Sequence, residues 1–584
     1  MESLPFKPTV IKAHGADLRQ CGLYRMLPPD AKKFIGADEN RHVLDYIHML
    51  PLNDIGVPKF YPELSRNLKK ITKPNIIYPV GDGISIHIYP DKNDVRNYYI
   101  PIEPTLFANV DELLIEVEEA LVDIVDVLEV TTDDMSYKKA LLEEGLGDVC
   151  IIKDDGDGEG EEGIEKRVLD RIRGFVRTTR NKKVHVTSDE FQKIKYYMFK
   201  NKIGMGPLQP LLMDPYIEDI SCSGVGHIFV EHKIFSGLKT AITFDSMEEL
   251  DSYVVQMSEK IGKPITYRDP IVDAALPDGS RINIVFGEDV SKRGSNFTIR
   301  KFSETPLSLL NIVDFHTLDY KMAAYLWMLL GDGMNCFVVG ETASGKTTTL
   351  NAITTGIRAD AKIISIEDTP ELQVPHKNWL REVTRGSGDG GGSDVTMFDL
   401  LKAALRQRPD EIIIGEIRGA EGNIAFQAMQ TGHPALATFH AASVEKLIQR
   451  LTGDPINVPK TYIDNLNLVV IQNSVNVPGK GMSRRITSIN EIVGYDPSSQ
   501  AFSFIETFQW DPSTDAFKFA GKNNSYLLEN KIAPKRGLPK NKRRMIYKEL
   551  DRREKVLRKI HDAGIVGFYE LFNMMARAEE EGIV

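Results

Sequence analysis

The stretch MNCFVVGETASGKTTTL, residues 334–350, constrains this chain more than any other. Within it, Gly340 to Thr347 reads GETASGKT, a complete match to the phosphate-loop pattern G-x-x-x-x-G-K-[ST]. The preceding run Cys336-Phe337-Val338-Val339 is apolar and of buried-strand type, and the residues from Thr347 to Ile353 can open a helix. Gly340 and Gly345 let the backbone bend so that several amide N–H groups converge on phosphate oxygens at the positive end of that helix. The cradle is expected to comprise Gly340, Glu341, Thr342, Ala343, Ser344, Gly345, Lys346, Thr347 and Thr348. Lys346 reaches the β/γ-phosphates, and the Thr347 hydroxyl ligates Mg²⁺. A chance Gly-rich turn would lack the two correct flanks. The chain is expected to bind ATP with Mg²⁺.

Length and composition set the frame around this loop. With 584 residues the chain is too long for one core, and about three to four domains are expected. Its 42% apolar and 27% charged residues are those of a soluble globular protein. A net charge of −11 argues mildly against a protein built to coat nucleic acid. Cys21, Cys150, Cys222 and Cys336 lie far apart with no C-x-x-C spacing, which excludes a sequence-evident zinc site and fits a reducing interior. No secretory leader and no bilayer-spanning apolar run is found, so membrane association is expected to go through a partner or a surface contact.

Six segments are expected along the chain. Residues 1–152 form an N-terminal region with a strand-like run from Ile84 to Tyr89 and an acidic helical pattern from Val110 to Leu128. Residues 153–165 form an acidic, glycine-rich linker. The EF-hand alternative there fits the required ligand spacing and terminal glutamate poorly. Residues 166–300 read as an α/β domain with helical patterns over 165–179, 188–200 and 246–261. Strands are expected over 217–221 and 227–230, with a β-hairpin within 277–302. A hinge at 301–306 leads into a core at 307–510, with strand-like runs over 336–339, 363–366, 412–414, 435–439 and 468–471. Their alternation with helical patterns predicts a RecA-like, doubly wound α/β sheet with ligands at the carboxyl ends of the strands. Arg385 to Ser393 reads as a flexible glycine-rich loop, followed by a helix over 397–407. A meander of short strands spans 486–510, and 511–584 is a C-terminal extension with a basic stretch over 531–559 and an amphipathic helix over 568–580.

Three further boxes follow the phosphate loop. The apolar run Ile363 to Ile366 ends in Glu367, Asp368 and Glu371, where a base that orients the attacking water would sit. Any one of them alone would read rather as a surface acid after a strand. The run PDEIIIGEIR, 409–418, resembles a Walker B strand, but Glu416 rather than an aspartate ends it; this carboxylate is the candidate holder of the Mg²⁺ shell. The run TGHPALATFH, 431–440, places His433 and His440 at its two ends, and a pair of histidines framing a buried strand favours a functional role.

These boxes, in this order, resemble the secretion-type ATPases that drive type II secretion, type IV pili and the archaeal motility filament. The family's aspartate box, Walker B glutamate and histidine box match Glu367-Asp368-Glu371, Gly415-Glu416 and His433/His440. The runs EGNIAFQAMQTGHPALATFHAASVEKLIQRLTGDPINVPKTYIDNL and INEIVGYDP resemble the motor ATPase of the archaellum, across about 166–584. The resemblance implies a homo-hexamer of two-domain subunits at the cytoplasmic face of the membrane, with ATP at the subunit boundary and the amino-terminal domain covering it. Nucleotide-driven domain movements would push on a polytopic membrane platform protein, alongside accessory cytoplasmic motor proteins, to assemble and turn the filament. It also favours Glu371 over Glu367 as general base, and it brings arginines of the 277–302 hairpin toward the phosphates. Arg281 and Arg300 are the candidates, with Arg293 set in a turn; pairing with Asp278, Glu288 or Asp289 is the ordinary alternative.

A pilus-assembly or secretion ATPase shares all of this chemistry. A RecA-like DNA translocase would show basic or aromatic pore loops, which the core lacks, and a nucleotide-dependent scaffold would not need Glu371 and Glu416. No nucleic-acid partner is expected. The basic stretch 531–559 reads either as a contact for anionic lipid or a membrane partner's loops, or as a solvated helix with intrahelical pairs.

Overall fold

The computed structural model describes residues 4–8, 21–37, 40–91, 94–105, 111–125, 135–153, 183–302, 306–385 and 394–584. The acidic linker beyond Lys153, the helical pattern over 165–179, the centre of the expected hinge and the glycine-rich loop over 386–393 lie outside the described residues. The chain divides into two compact units, Met1–Phe302 and Ser303–Val584.

The first unit is built on a ten-stranded sheet, and it joins what the sequence reading separates. In spatial order its strands are Lys59–Phe60, Ile76–Gly81, Ile84–Tyr89, Tyr98–Ile102, Ser236–Phe244, Gly226–His232, Ile217–Cys222, Asn296–Arg300, Arg281–Val285 and Ile271–Ala275. The junction is a parallel pairing of Tyr98 with Lys239 and Tyr99 with Thr240. A buried polar knot seals it: the Tyr78 and Tyr99 hydroxyls donate to Asp214 Oδ2 at 2.6 and 2.8 Å. Burial raises the Asp214 carboxyl above its ordinary range, so these donors offset a desolvation cost. The expected boundary near 152 therefore does not separate two bodies among the described residues. A pairing about 140 residues apart in sequence leaves no local pattern to read.

The hairpin expected within 277–302 is present. Arg281–Val285 pairs antiparallel with Asn296–Arg300, with Arg281 directly opposite Arg300. The helix Ser188–Met198 begins with a reciprocal capping box between Thr187 and Glu190.

In the second unit the helices Leu309–Asp314 and Tyr320–Gly331 precede β1 (Cys336–Val339), α1 (Lys346–Ile353), β2 (Ile363–Glu367), β3 (Trp379–Val383), α2 (Met397–Ala404), β4 (Glu411–Ile414), α3 (Glu421–Gln430), β5 (Ala435–Phe439), α4 (Val444–Thr452), β6 (Leu468–Val477), β7 (Gly481–Asp496), β8 (Ala501–Asp511) and β9 (Ala516–Phe519). They are followed by helices α5 (Ile546–Asp562) and α6 (Phe568–Glu580). The nine-stranded sheet has the order β3-β2-β4-β5-β1-β6-β7-β8-β9. Pairings from β3 to β6 are parallel, and those from β6 to β9 antiparallel.

Side-chain alternation explains why helices cover both faces. Cys336 and Val338 enter one apolar core with Leu350 and Ile353 of α1, while Phe337 and Val339 enter another with Leu401, Phe426 and Leu447 of α2, α3 and α4. The fold is thus the expected doubly wound α/β type.

The sheet and its core run past residue 510. Strand β9 continues the same sheet, and Leu550, Leu557 and Leu571 of α5 and α6 share the first core with Trp327 and Leu350. Arg553, only 2% exposed, lies with its guanidinium carbon 5.5 Å from the Trp327 ring centroid, so part of the basic stretch is core rather than surface.

Candidate active site

Strand β1 runs straight into the phosphate loop, and the loop's glycines are required by close approaches. A Cβ on Gly340 would lie 2.1 Å from the Gln472 carbonyl oxygen. Gly345, the residue before α1, has φ +92°, and a Cβ there would meet Gln472 Nε2 at 2.9 Å. From behind, Gln472 Nε2 donates to the Ser344 carbonyl at 2.8 Å and Arg484 Nε to the Ala343 carbonyl at 3.3 Å. Glu341, Thr342 and Ala343 form an exposed tip, Ser344 and Lys346 are buried, and Thr347 and Thr348 are half-buried at the start of α1.

Gln472 and Arg484 are braces that sequence reasoning missed. Gln472 does leave a trace, as the polar residue ending the apolar run Leu468-Val469-Val470-Ile471 beside the loop strand.

Because β4, β5 and β1 are adjacent and parallel, their carboxyl ends bring three candidates together. Lys346 Nζ donates to the Glu341 carbonyl at 2.9 Å and stands 3.4 Å from His440 Nε2. The same Nε2 is 2.9 Å from Glu416 Oε1, and Arg418 donates to Glu416 Oε2 at 2.5 Å. One imidazole nitrogen cannot both accept from Lys346 and donate to Glu416, so the two contacts compete for the position of a single proton. Burial, followed by the Lys346 charge, lowers the His440 pKa, while Glu416 raises it. Burial also lowers the Lys346 pKa, partly offset by Glu416. His433 does not join them. It precedes β5, at the opposite end from His440, and contacts Thr431 Oγ1 at 3.1 Å.

A family model described as type II/IV secretion system protein matches residues 201–478. An uncharacterized protein of Methanocaldococcus jannaschii is 43% identical over 545 residues, which cover 93% of this chain and 96% of that one. The chain belongs to the type II/IV secretion system protein family. The type IV secretion system protein VirB11 of Bartonella henselae is 28% identical over 310 residues, 47% of this chain and 84% of that one. The crystal structure of the VirB11 ATPase from Brucella suis is 25% identical, covering 51% of this chain and 94% of that one at a TM-score of 0.25, a superposition too loose to argue from.

In this secretion-family chain the glutamate that ends β2 and the one four residues beyond it have different settings. Glu367 is 2% exposed, and its Oε1 accepts the backbone N–H groups of Glu371 and Leu372, each at 2.9 Å. Burial pushes its pKa up to about 7 against those two donors. It is built as the anchor of the turn that carries Glu371. Asn351 of α1 holds the same turn from the other side, donating to the Glu371 carbonyl at 3.3 Å and accepting from Gln373 N at 3.1 Å. Glu371 is half-buried, and its carboxylate has no hydrogen-bond or ion-pair partner among the described residues. In single-turnover hydrolysis Glu371→Gln is therefore expected to slow chemistry by about 10²-fold or more. Glu367→Gln, which keeps an acceptor for the turn, is expected to stay within about tenfold of wild type. Near-wild-type chemistry in both would discard the base assignment.

Arg281 and Arg300 belong to the first unit of this secretion-family chain, on one face of its sheet and both exposed. Their partners differ from those expected. Arg281 forms a bidentate pair with Asp273 at 3.1 and 2.6 Å, and Arg300 Nε lies 3.5 Å from Asp219 Oδ1. Arg293 sits in a turn closed by Gly294 N donating to the Ser291 carbonyl at 3.0 Å. Among the described residues no group of three or more His, Cys, Asp or Glu side chains could hold a metal ion by itself. The donor set fits instead a metal that arrives with the nucleotide, using the Thr347 hydroxyl. Glu416 would act through water, since His440 and Arg418 already cover its two oxygens.

Proposed function

We propose that this chain is an ATP-hydrolysing motor of the secretion type, working as a homo-hexamer at the cytoplasmic face of a membrane. The observation that carries the reading is the Lys346–His440–Glu416 cluster beside a braced GETASGKT loop. Mg·ATP is the substrate. The loop amides and Lys346 hold the β/γ-phosphates, Thr347 and the Glu416 shell hold the metal, and Glu371 takes a proton from the attacking water as the γ-phosphoryl group leaves ADP. His440, between Lys346 and Glu416, ties the phosphate loop to the strand end that bears Glu416, so a change in charge at the γ-phosphate is felt at both. The resemblance implies that the amino-terminal domain, residues 166–300, of one protomer covers a nucleotide at the subunit boundary, where Arg281 and Arg300 would stabilise the transferring phosphoryl group.

The resemblance to the archaellum motor favours assembly and rotation of the archaeal motility filament through a polytopic platform protein, with accessory cytoplasmic motor proteins. A pilus-assembly or secretion role has the same chemistry, and the likeness to VirB11 proteins keeps it as the alternative. A DNA translocase is the distant one. Deleting the gene and imaging cell-surface filaments separates the first two.

Mixing experiments test the shared site. Arg281→Ala/Arg300→Ala protein combined with Lys346→Ala protein is expected to hydrolyse ATP faster than the sum of the two alone, because some interfaces regain both parts. A mixture no faster than that sum would place the arginines in their own subunit's site, and unimpaired hydrolysis by the double mutant alone would remove them from the mechanism.

A further inference from the structure

Residues 531–559 contain 13 Lys/Arg against 3 Asp/Glu, in a chain whose net charge is −11. Helix α5 sorts these charges by face. Ile546, Leu550, Arg553, Leu557 and Ile560 are buried on one side. Lys548, Arg552, Lys555 and Lys559 recur at helical spacing on the opposite side, all exposed. Arg544, in the 3-10 helix Lys540–Met545, precedes them by one turn. The stripe is roughly 20 Å long at about 1.5 Å per residue.

The three acids of the segment lie off this stripe, and each is already engaged. Glu549 pairs with Arg553 at 2.7 Å, Glu554 with Lys321 at 2.6 Å and Arg558 at 2.8 Å, and Asp551 with Lys321. Among the described residues none of the five stripe cations has an ion-pair partner, and Asp562, at the helix end, is the one acid sharing their arc. A solvated helix stabilised by its own pairs would not leave these five cations unmatched while its acids pair with Lys321, Arg553 and Arg558.

We propose that this stripe docks on an anionic lipid surface. Protein interfaces are built around aromatic and aliphatic anchors and are depleted in lysine. Here three of five residues are lysine, none is aromatic, and the exposed large apolar side chain beside them is Met545. A lipid surface asks only for unpaired charge along a line, each cation near it adding affinity that salt removes. The apolar face of α5 is committed to the core, so the contact is electrostatic and does not insert. Among the described residues no helix is long and apolar enough to cross a membrane, so an attachment of this kind would come from the surface. The inference stands apart from the hydrolysis reading, because the stripe belongs to neither the phosphate loop nor the strand ends.

The test is sedimentation of the full chain with vesicles of phosphatidylcholine alone or mixed with phosphatidylglycerol. Wild type is expected to sediment with the mixed vesicles only, and to be released as salt rises from about 0.1 M to about 1 M. Lys548→Glu/Arg552→Glu/Lys555→Glu should weaken that binding by about a hundredfold, and the corresponding triple Gln variant by less. Both should keep wild-type thermal unfolding and ATP turnover in solution. Should the Glu variant misfold, the Gln variant carries the comparison. Vesicle binding unchanged in the folded variants, or absent in wild type, would overturn the proposal. Binding to polyglutamate or duplex DNA with none to vesicles would overturn it in favour of a polymeric acid.

Discussion

Lys346→Ala is expected to abolish measurable ATP hydrolysis, by about 10³-fold or more, and to weaken ATP binding in a protein that still folds. Lys346 is 8% exposed and its ammonium is held by the Glu341 carbonyl, so in this site it is a largely desolvated charge already aimed within the loop. A charge in such a place acts on phosphate oxygens far more strongly than one in water. Folding should survive because the loop's shape rests on Gln472, Arg484 and two glycines rather than on this side chain. Loss of one hydrogen bond and of a cation that burial disfavours should change stability by only about 1 kcal/mol. Phosphate release and nucleotide titration on one folded preparation check both halves.

Glu416→Gln is expected to retain ATP binding and lose about 10²-fold or more of hydrolysis. The amide keeps an acceptor for His440 but removes the charge proposed to act in the metal shell. It also has a pH signature. Among the groups around His440, the Glu416 carboxylate raises the histidine pKa, whereas burial, Lys346, Arg418 and Arg450 lower it. Removing the carboxylate charge should move that already lowered pKa further down. The acid limb of the residual pH–rate profile should therefore shift to lower pH, and histidine titration followed by NMR should show the same direction. An unchanged limb with unchanged turnover would separate Glu416 from both His440 and the chemistry.

Much of the second unit is legible in the sequence because its signals are local. Cys336–Val339 and Ala435–Phe439 are uninterrupted apolar runs with turn residues on both sides, and the helix Phe568–Glu580 shows a clean period. Strand β3, WLREV, was not expected. As an edge strand with three of its five residues exposed it has no apolar run to betray it. The ten-stranded sheet of the first unit was not legible as one body, since Tyr98 and Lys239 meet only through tertiary pairing. Nor was the continuation of the sheet and core past residue 510, because the strand Ala516–Phe519 is short and helix α5 looks mainly charged until its buried face is known.

The candidate site follows the same rule. Its motif residues announce themselves, whereas the different settings of Glu367 and Glu371 depend on which carboxylate the backbone amides capture. The bracing by Gln472 depends on strand order, which no window of sequence contains.

The most direct measurement is ATP binding and phosphate release in parallel for wild type, Lys346→Ala and Glu416→Gln, each first shown to be folded by thermal unfolding. Binding with hydrolysis in wild type, binding without hydrolysis in Glu416→Gln, and weakened binding without hydrolysis in Lys346→Ala is the predicted result. Wild-type turnover by folded Lys346→Ala protein would contradict the assignment of this loop as the site where ATP is bound and cleaved.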